Sequence, residues 1–139
     1  MKIELLRLLF DFGLFVLIWM VQLIIYPSFI FYEKNNLIKW HQTYVKRISY
    51  VVVPLMFGQL FVSLWQLYQI TSLYTIGSFV LITCAWISTF SQFVPIHNQI
   101  SSIKFDSKIL KGLEKNNWLR TFLWSSVFFW TAITVFTRA

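Results

Sequence analysis

Residues 48–96 read ISYVVVPLMFGQLFVSLWQLYQITSLYTIGSFVLITCAWISTFSQFVPI. Two apolar runs, 48–68 and 73–96, are joined by Gln69-Ile70-Thr71-Ser72, a tight uncharged turn. A helix needs about 20 apolar residues to cross roughly 30 Å of hydrocarbon, and both runs meet that length. So short a link makes them antiparallel neighbours. Runs at 8–31 and 118–136 pass the same test. The expected fold is therefore all-α: an integral membrane four-helix bundle, antiparallel and up-down, with 1–139 as a single domain. Strands of a membrane barrel would be about 10 residues long with alternating polarity, and these runs do not alternate. The first run is too long for a signal peptide, and no small-x-small cleavage site follows it.

Composition agrees. The chain is 58% hydrophobic and 20% aromatic, with 12% charged residues, against about 25% charged in soluble domains. Its one cysteine, Cys84, excludes an intramolecular disulfide and Cys-rich metal sites. It is expected to be a buried small hydrophobe.

Charge sets an orientation. The segment 32–47 carries Lys34, Lys39, Lys46 and Arg47, and the segment 97–117 carries Lys104, Lys108, Lys111 and Lys115. The other side has Lys2, Arg7 and Arg138. The positive-inside rule places both long loops in the cytoplasm and both termini outside, as in a bacterial inner membrane. The net charge of +7 then matches anionic lipid head groups. Nucleic acid is not an expected partner, because the basic residues flank spans and form no soluble domain. In the third loop Asp106 is expected to cap a short interfacial helix with Ile109, Leu110 and Leu113 on one side. In the first loop Asn35 or Asn36 is expected to cap a helix running through Trp40 and Tyr44 into the second span. Pro54 would kink that helix or mark its true start.

Four polar faces recur at helical spacing: Asp11, Phe15, Ile18, Gln22 and Tyr26; Met56, Gln59, Ser63 and Gln66; Ala85, Ser88, Thr89 and Gln92; Asn117, Arg120, Thr121 and Trp124. Polar groups in lipid seek one another, so these faces should converge inside the bundle. Gln22, Gln59, Ser63 and Gln66 read as interhelical glue, and Asp11 as a local ion pair with Arg7 at the outer interface.

The inner end is more heavily polar. Tyr26, Gln92, His97, Asn98, Asn117 and Arg120 gather there, with Trp118 and Trp124 nearby and His41 in the loop above. Arg120 has three expected roles: snorkelling to the head groups, stacking on Trp124 or Trp118, or fixing a ligand oxygen. No nucleophile-elbow pattern supports a Ser/His/Asp hydrolase. Zinc hydrolysis needs three ligands, and His41 and His97 have no Cys or acidic partner at ligand spacing. An apolar, aromatic-rich cavity with a few convergent polar groups fits a lipophilic aromatic or quinone-like small molecule. His97 would act as general base and Arg120, Asn98 or Asn117 would stabilise an oxyanion, while Tyr26, Gln92, Trp118 and Trp124 would hold the ligand. This reading requires no metal and no cofactor.

The segment Pro95-Ile96-His97-Asn98-Gln99-Ile100, followed by Leu113-Glu114-Lys115-Asn116-Asn117-Trp118-Leu119-Arg120, resembles the C-terminal signature of the anthrone oxygenase-like family. Those are small four-helix membrane proteins. The resemblance covers roughly the final third closely. It implies the four-helix fold and a ligand-handling end. It also implies cofactor-independent, oxygenase-like chemistry as one outcome, since some members are implicated in oxygenation of polycyclic anthrones. The alternatives are a non-enzymatic structural or accessory membrane subunit, and a haem-binding electron carrier using His41 and His97. Either leaves a homo-oligomer open.

Overall fold

The turn at 69–72 forms with a specific lock. In the computed structural model, which describes residues 2–102 and 105–138, helix α3 (Lys34–Gln69) ends there and α4 (Leu73–Ser88) begins. The Ser72 hydroxyl accepts from the Thr75 N–H at 3.2 Å, and Oγ1 of Thr75 accepts from the Ser72 N–H at 2.9 Å. This reciprocal capping box satisfies two orphan donors at the helix start. Ser72→Ala should therefore lower stability by about 1 kcal/mol, read as a shift in the unfolding midpoint in detergent.

The rest of the chain is also helical, with no strand among the described residues. α1 (Lys2–Met20) leads through a π-helical turn (Val21–Ile25) into α2 (Tyr26–Ser28) and a 3-10 turn (Phe29–Phe31). α4 leads through a second π-helical turn (Thr89–Phe93) into α5 (Val94–Ser101), and α6 (Ser107–Arg138) closes the chain. The four stretches Lys2–Phe31, Lys34–Gln69, Leu73–Ser101 and Ser107–Arg138 are each long and apolar enough to cross a membrane.

These helices outrun the apolar runs that announce them. α3 is a helix of 36 residues that runs through Trp40 and Tyr44 into the second span, as expected, and His41 lies on it. Neither Asn35 nor Asn36 caps it. Glu33 holds the N-cap position, without a side-chain bond. Nor does Pro54 mark its start, because the helix passes through that residue. Asp106 does cap, its Oδ1 accepting from the Ile109 N–H at 3.0 Å. The helix it opens is not a separate interfacial one; it is α6 itself. Lys104 lies outside the described residues. Lys34, Lys39, Lys46, Arg47, Lys108, Lys111 and Lys115 are all exposed on the first turns of α3 and α6.

The π-helical turns have an identifiable cause. Each immediately precedes an X-Pro pair, Tyr26-Pro27 or Val94-Pro95. Proline has no N–H to give, and its ring crowds the carbonyl four residues back. A widened turn absorbs both demands. It also inserts one residue into the helical count, which rotates the following face by about 100°. The inward face of the third stretch therefore runs through Phe93, 1% exposed, and Gln92 turns outward. Cys84 is exposed, contrary to expectation, because it lies on the outward side beside inward-facing Ala85.

Two apolar clusters fill the interior. Val21, Tyr26, Phe29, Leu37, Tyr44, Phe93, Ile100, Leu110 and Leu113 form one, and Leu14, Ile18, Met56, Ala85, Leu123 and Trp124 the other. Gly58 lets the Phe10 ring lie directly against α3, where a Cβ would collide with it.

Candidate functional site

Four side chains from three helices, α2, α3 and α5, make one hydrogen-bonded line. Tyr26 stands at the start of α2, where the first π-helical turn delivers it inward. Its hydroxyl meets Nε2 of His97 at 3.0 Å. Nδ1 of His97 meets Nε2 of His41 at 2.7 Å. Nδ1 of His41 meets the Ser101 hydroxyl at 2.9 Å. The imidazoles are stacked with centroids 4.9 Å apart. His41 is fully buried and packed edge-on against Phe29. Tyr44 covers both imidazoles, at 5.9 and 6.3 Å between centroids.

Arg120 lies beside this line. It is 7% exposed, so it does not snorkel. Its guanidinium sits over the Phe93 ring at 4.1 Å and the Trp124 ring at 5.1 Å, and it interacts electrostatically with the phenols of Tyr26 and Tyr44. Nε has no hydrogen-bond partner, and among the described residues no carboxylate pairs with this cation. A buried, sandwiched, incompletely partnered guanidinium is a charge awaiting an acceptor.

Tyr26, His97, Arg120 and Trp124 line one side of a cavity of about 230 Å³. The rest of its lining is mainly apolar, including Leu14, Ile18, Val52 and Met56, with Ser49 and Thr89 as the polar exceptions. Val53, Phe90 and Val94 belong both to the lining and to the outer surface, at 45%, 58% and 40% exposure. The cavity thus opens sideways, between α3 and the third stretch, through an apolar mouth.

Of the residues expected at the site, Tyr26, His97, Arg120 and Trp124 come together here. Gln92 and Asn98 are exposed and line nothing, which follows from the rotation at the second π-helical turn. Asn117 is buried but turned to the first π-helical turn, its amide donating to Oε1 of Gln22 at 2.9 Å. Gln22 also accepts from Thr121 at 3.3 Å and donates to the Glu114 carbonyl at 3.1 Å. Asn117 thereby serves helix contact. Trp118 is 49% exposed and meets Trp19 edge-on at 5.8 Å, away from Arg120. His41 and Tyr44 belong to the site, and both lie on the helix expected to run through Trp40 and Tyr44 into the second span. The available signal was Leu37, His41 and Tyr44 recurring at helical spacing ahead of the second apolar run.

A second polar cluster occupies the opposite part of the bundle. Arg7 and Asp11 pair at 2.9 Å, with 1% and 0% exposure. The pair is local in sequence, as expected, and is buried inside the bundle. Asp11 also accepts from Gln59 at 2.7 Å and Thr131 at 2.6 Å. Arg7 donates to Gln66 at 3.0 Å, and Tyr74 bonds Thr131 at 2.9 Å. All four stretches contribute. Gln59, Gln66 and Gln22 act as the expected glue, while Ser63 bonds only its own helix through the Leu60 carbonyl. Trp124 joins the two regions, its indole N–H donating to Gln59 at 3.2 Å.

Among the described residues no group of His, Cys, Asp or Glu is arranged to hold a metal ion. No protein-family model matches the chain, and neither a curated protein nor a solved structure matches it.

Proposed function

We propose that the chain is an up-down four-helix protein of a membrane. It takes a lipophilic hydroxyaromatic or quinone-like molecule from the bilayer into its lateral cavity. The observation that carries this reading is the pairing of an apolar, sideways-opening cavity with one polar wall of Tyr26, His97 and Arg120. Ligand sites are mostly apolar with a few convergent polar groups, and a mouth of Val53, Phe90 and Val94 suits access from lipid. The exposed basic collar on α3 and α6 supports a cytoplasmic position for the histidine end, by the positive-inside rule.

Size narrows the ligand. A cavity of about 150 Å³ holds benzene, so about 230 Å³ suits a substituted or bicyclic ring, with any tail left in the mouth. A three-ring anthrone would fill it tightly, and oxygenation of such a ligand is the finer reading that the C-terminal resemblance suggests. The haem alternative is less well supported. All four ring nitrogens of His41 and His97 lie in hydrogen bonds, leaving none turned to an iron.

The test is ligand-dependent stabilisation in detergent. A menadione-class naphthoquinone at 100 times its Kd should stabilise the protein by about 2.7 kcal/mol. Val52→Trp, which fills the cavity, should fold and lose that effect. A protein that no quinone or hydroxyaromatic stabilises, or a Val52→Trp variant stabilised as well as wild type, would point to the accessory-subunit reading.

A further inference from the structure

The line Ser101–His41–His97–Tyr26 is longer than ligand binding requires. Tyr26 and His97 line the cavity, whereas His41 and Ser101 do not. The line leads away from the cavity to Ser101, which is half-buried, and to exposed Gln42, whose amide donates to the Ser101 carbonyl at 3.0 Å. We infer that this line is a proton relay joining the cavity to the aqueous margin, so that a neutral, lipophilic O–H acid is held as its anion against Arg120 while its proton leaves through the histidines. The inference rests on the ligand-binding reading above.

The hydrogen bonds have a consistent direction. A neutral imidazole has one donor and one acceptor nitrogen. With Tyr26 donating to Nε2 of His97, the Nδ1–H of His97 donates to Nε2 of His41, and the Nδ1–H of His41 donates to Ser101. Every ring nitrogen is then satisfied, and each link is 3.0 Å or shorter. The reversed direction satisfies them equally. Passing one proton along the line converts the first arrangement into the second. The ligand O–H bond breaks and its proton joins the Tyr26 oxygen. The Tyr26 proton moves to Nε2 of His97, that of Nδ1 of His97 to Nε2 of His41, and that of Nδ1 of His41 to Ser101. The Ser101 hydroxyl releases its own proton to water. One proton enters, one leaves, and the ligand oxygen keeps the electron pair. Its charge falls beside Arg120, whose Nε has no other partner. Reprotonation by the same route restores the first arrangement.

The surroundings favour passage toward this end alone. Among the described residues, the titratable groups facing the two imidazoles, besides each other, are Tyr26, Tyr44 and Arg120. No carboxylate sits among them to trap the proton. Among the described residues, the hydrogen-bonded link from the cavity toward Asp11 is the Trp124 indole, a donor that cannot accept and so cannot relay.

An alkyl-substituted 4-nitrophenol tests this, because its anion absorbs in the visible. In wild type the bound probe should be the phenolate, and a pH dye should register one proton released per probe bound. His41→Gln keeps an amide in place of the imidazole, which can bond both neighbours but cannot carry a proton through. Once the probe is bound, this variant should release the proton at least roughly tenfold more slowly than wild type. Ser101→Ala, at the half-buried margin, should also slow release. Wild-type release rates in both variants, or a bound probe that stays a neutral phenol, would overturn the relay. Failure of wild type to bind the probe at all would instead sink the cavity reading, and the relay with it.

Discussion

Asp11→Ala should destabilise the bundle by about 3–5 kcal/mol, because it leaves Arg7 as an uncompensated buried cation. The pair has 1% and 0% exposure, so water cannot replace the lost carboxylate. Two further donors lose their acceptor at the same time, the Gln59 amide and the Thr131 hydroxyl. Ordinary interhelical hydrogen bonds in membranes average about 0.6 kcal/mol, so two of them explain only a minor part of the expected loss. The stranded charge supplies the rest.

A double variant separates these effects. Arg7→Met with Asp11→Leu removes both charges and keeps the volume apolar. Replacing a buried pair by hydrophobic residues is often neutral or stabilising, so the double variant should recover most of the loss. Both are read from unfolding midpoints in detergent. If Asp11→Ala unfolds within about 1 kcal/mol of wild type, Arg7 has found another partner. The polar cluster would then not be what ties the four stretches together.

The sequence makes this cluster half legible. The i, i+4 spacing of Arg7 and Asp11 announces the pair. Nothing in a single sequence says that Gln59 and Thr131 will meet the same carboxylate, because that depends on which helices become neighbours. The four apolar stretches were legible for a simpler reason: crossing hydrocarbon requires length and apolarity, and both are written residue by residue. The inward faces of the first, second and fourth stretches follow too, since Gln22, Tyr26, Met56, Gln59, Arg120 and Trp124 are all buried.

The site is less legible, for two physical reasons. Periodicity arguments assume a constant 3.6 residues per turn. The π-helical turn at Thr89–Phe93 breaks that assumption, and the face slips from Gln92 to Phe93. Pro95 is the visible hint of that change of pitch. The second reason is that a length test for hydrocarbon sees only apolar residues. α3 extends 14 residues ahead of the run at 48–68 (from Lys34 to Arg47), and that polar extension carries His41. Two histidines far apart in sequence therefore gave no sign of bonding each other.

Arg120→Met should weaken binding of an anionic or enolic ligand by about 10- to 100-fold, the effect of losing a charge-assisted hydrogen bond of about 1.5–3 kcal/mol. It should do so without lowering stability. The contrast with Arg7 decides this. Arg7 has a carboxylate counter-ion in Asp11 and a second partner in Gln66, although one of its terminal nitrogens has no partner. Arg120 has aromatic faces on two sides, phenols nearby and an unpartnered Nε. Its stacking contributes about 2 kcal/mol when desolvated, which roughly offsets the penalty of burying an unpaired cation. Methionine keeps the apolar stem against Phe93 and Trp124 and removes that penalty, so the unfolding midpoint should hold or rise. A residue whose removal leaves the protein as stable and takes away binding is one retained for its ligand, not for the fold. Titration of the nitrophenol into both proteins, alongside their unfolding midpoints, checks the two halves separately. If Arg120→Met destabilises as strongly as Asp11→Ala and binds as wild type does, Arg120 is a structural cation and the oxyanion role goes to another group.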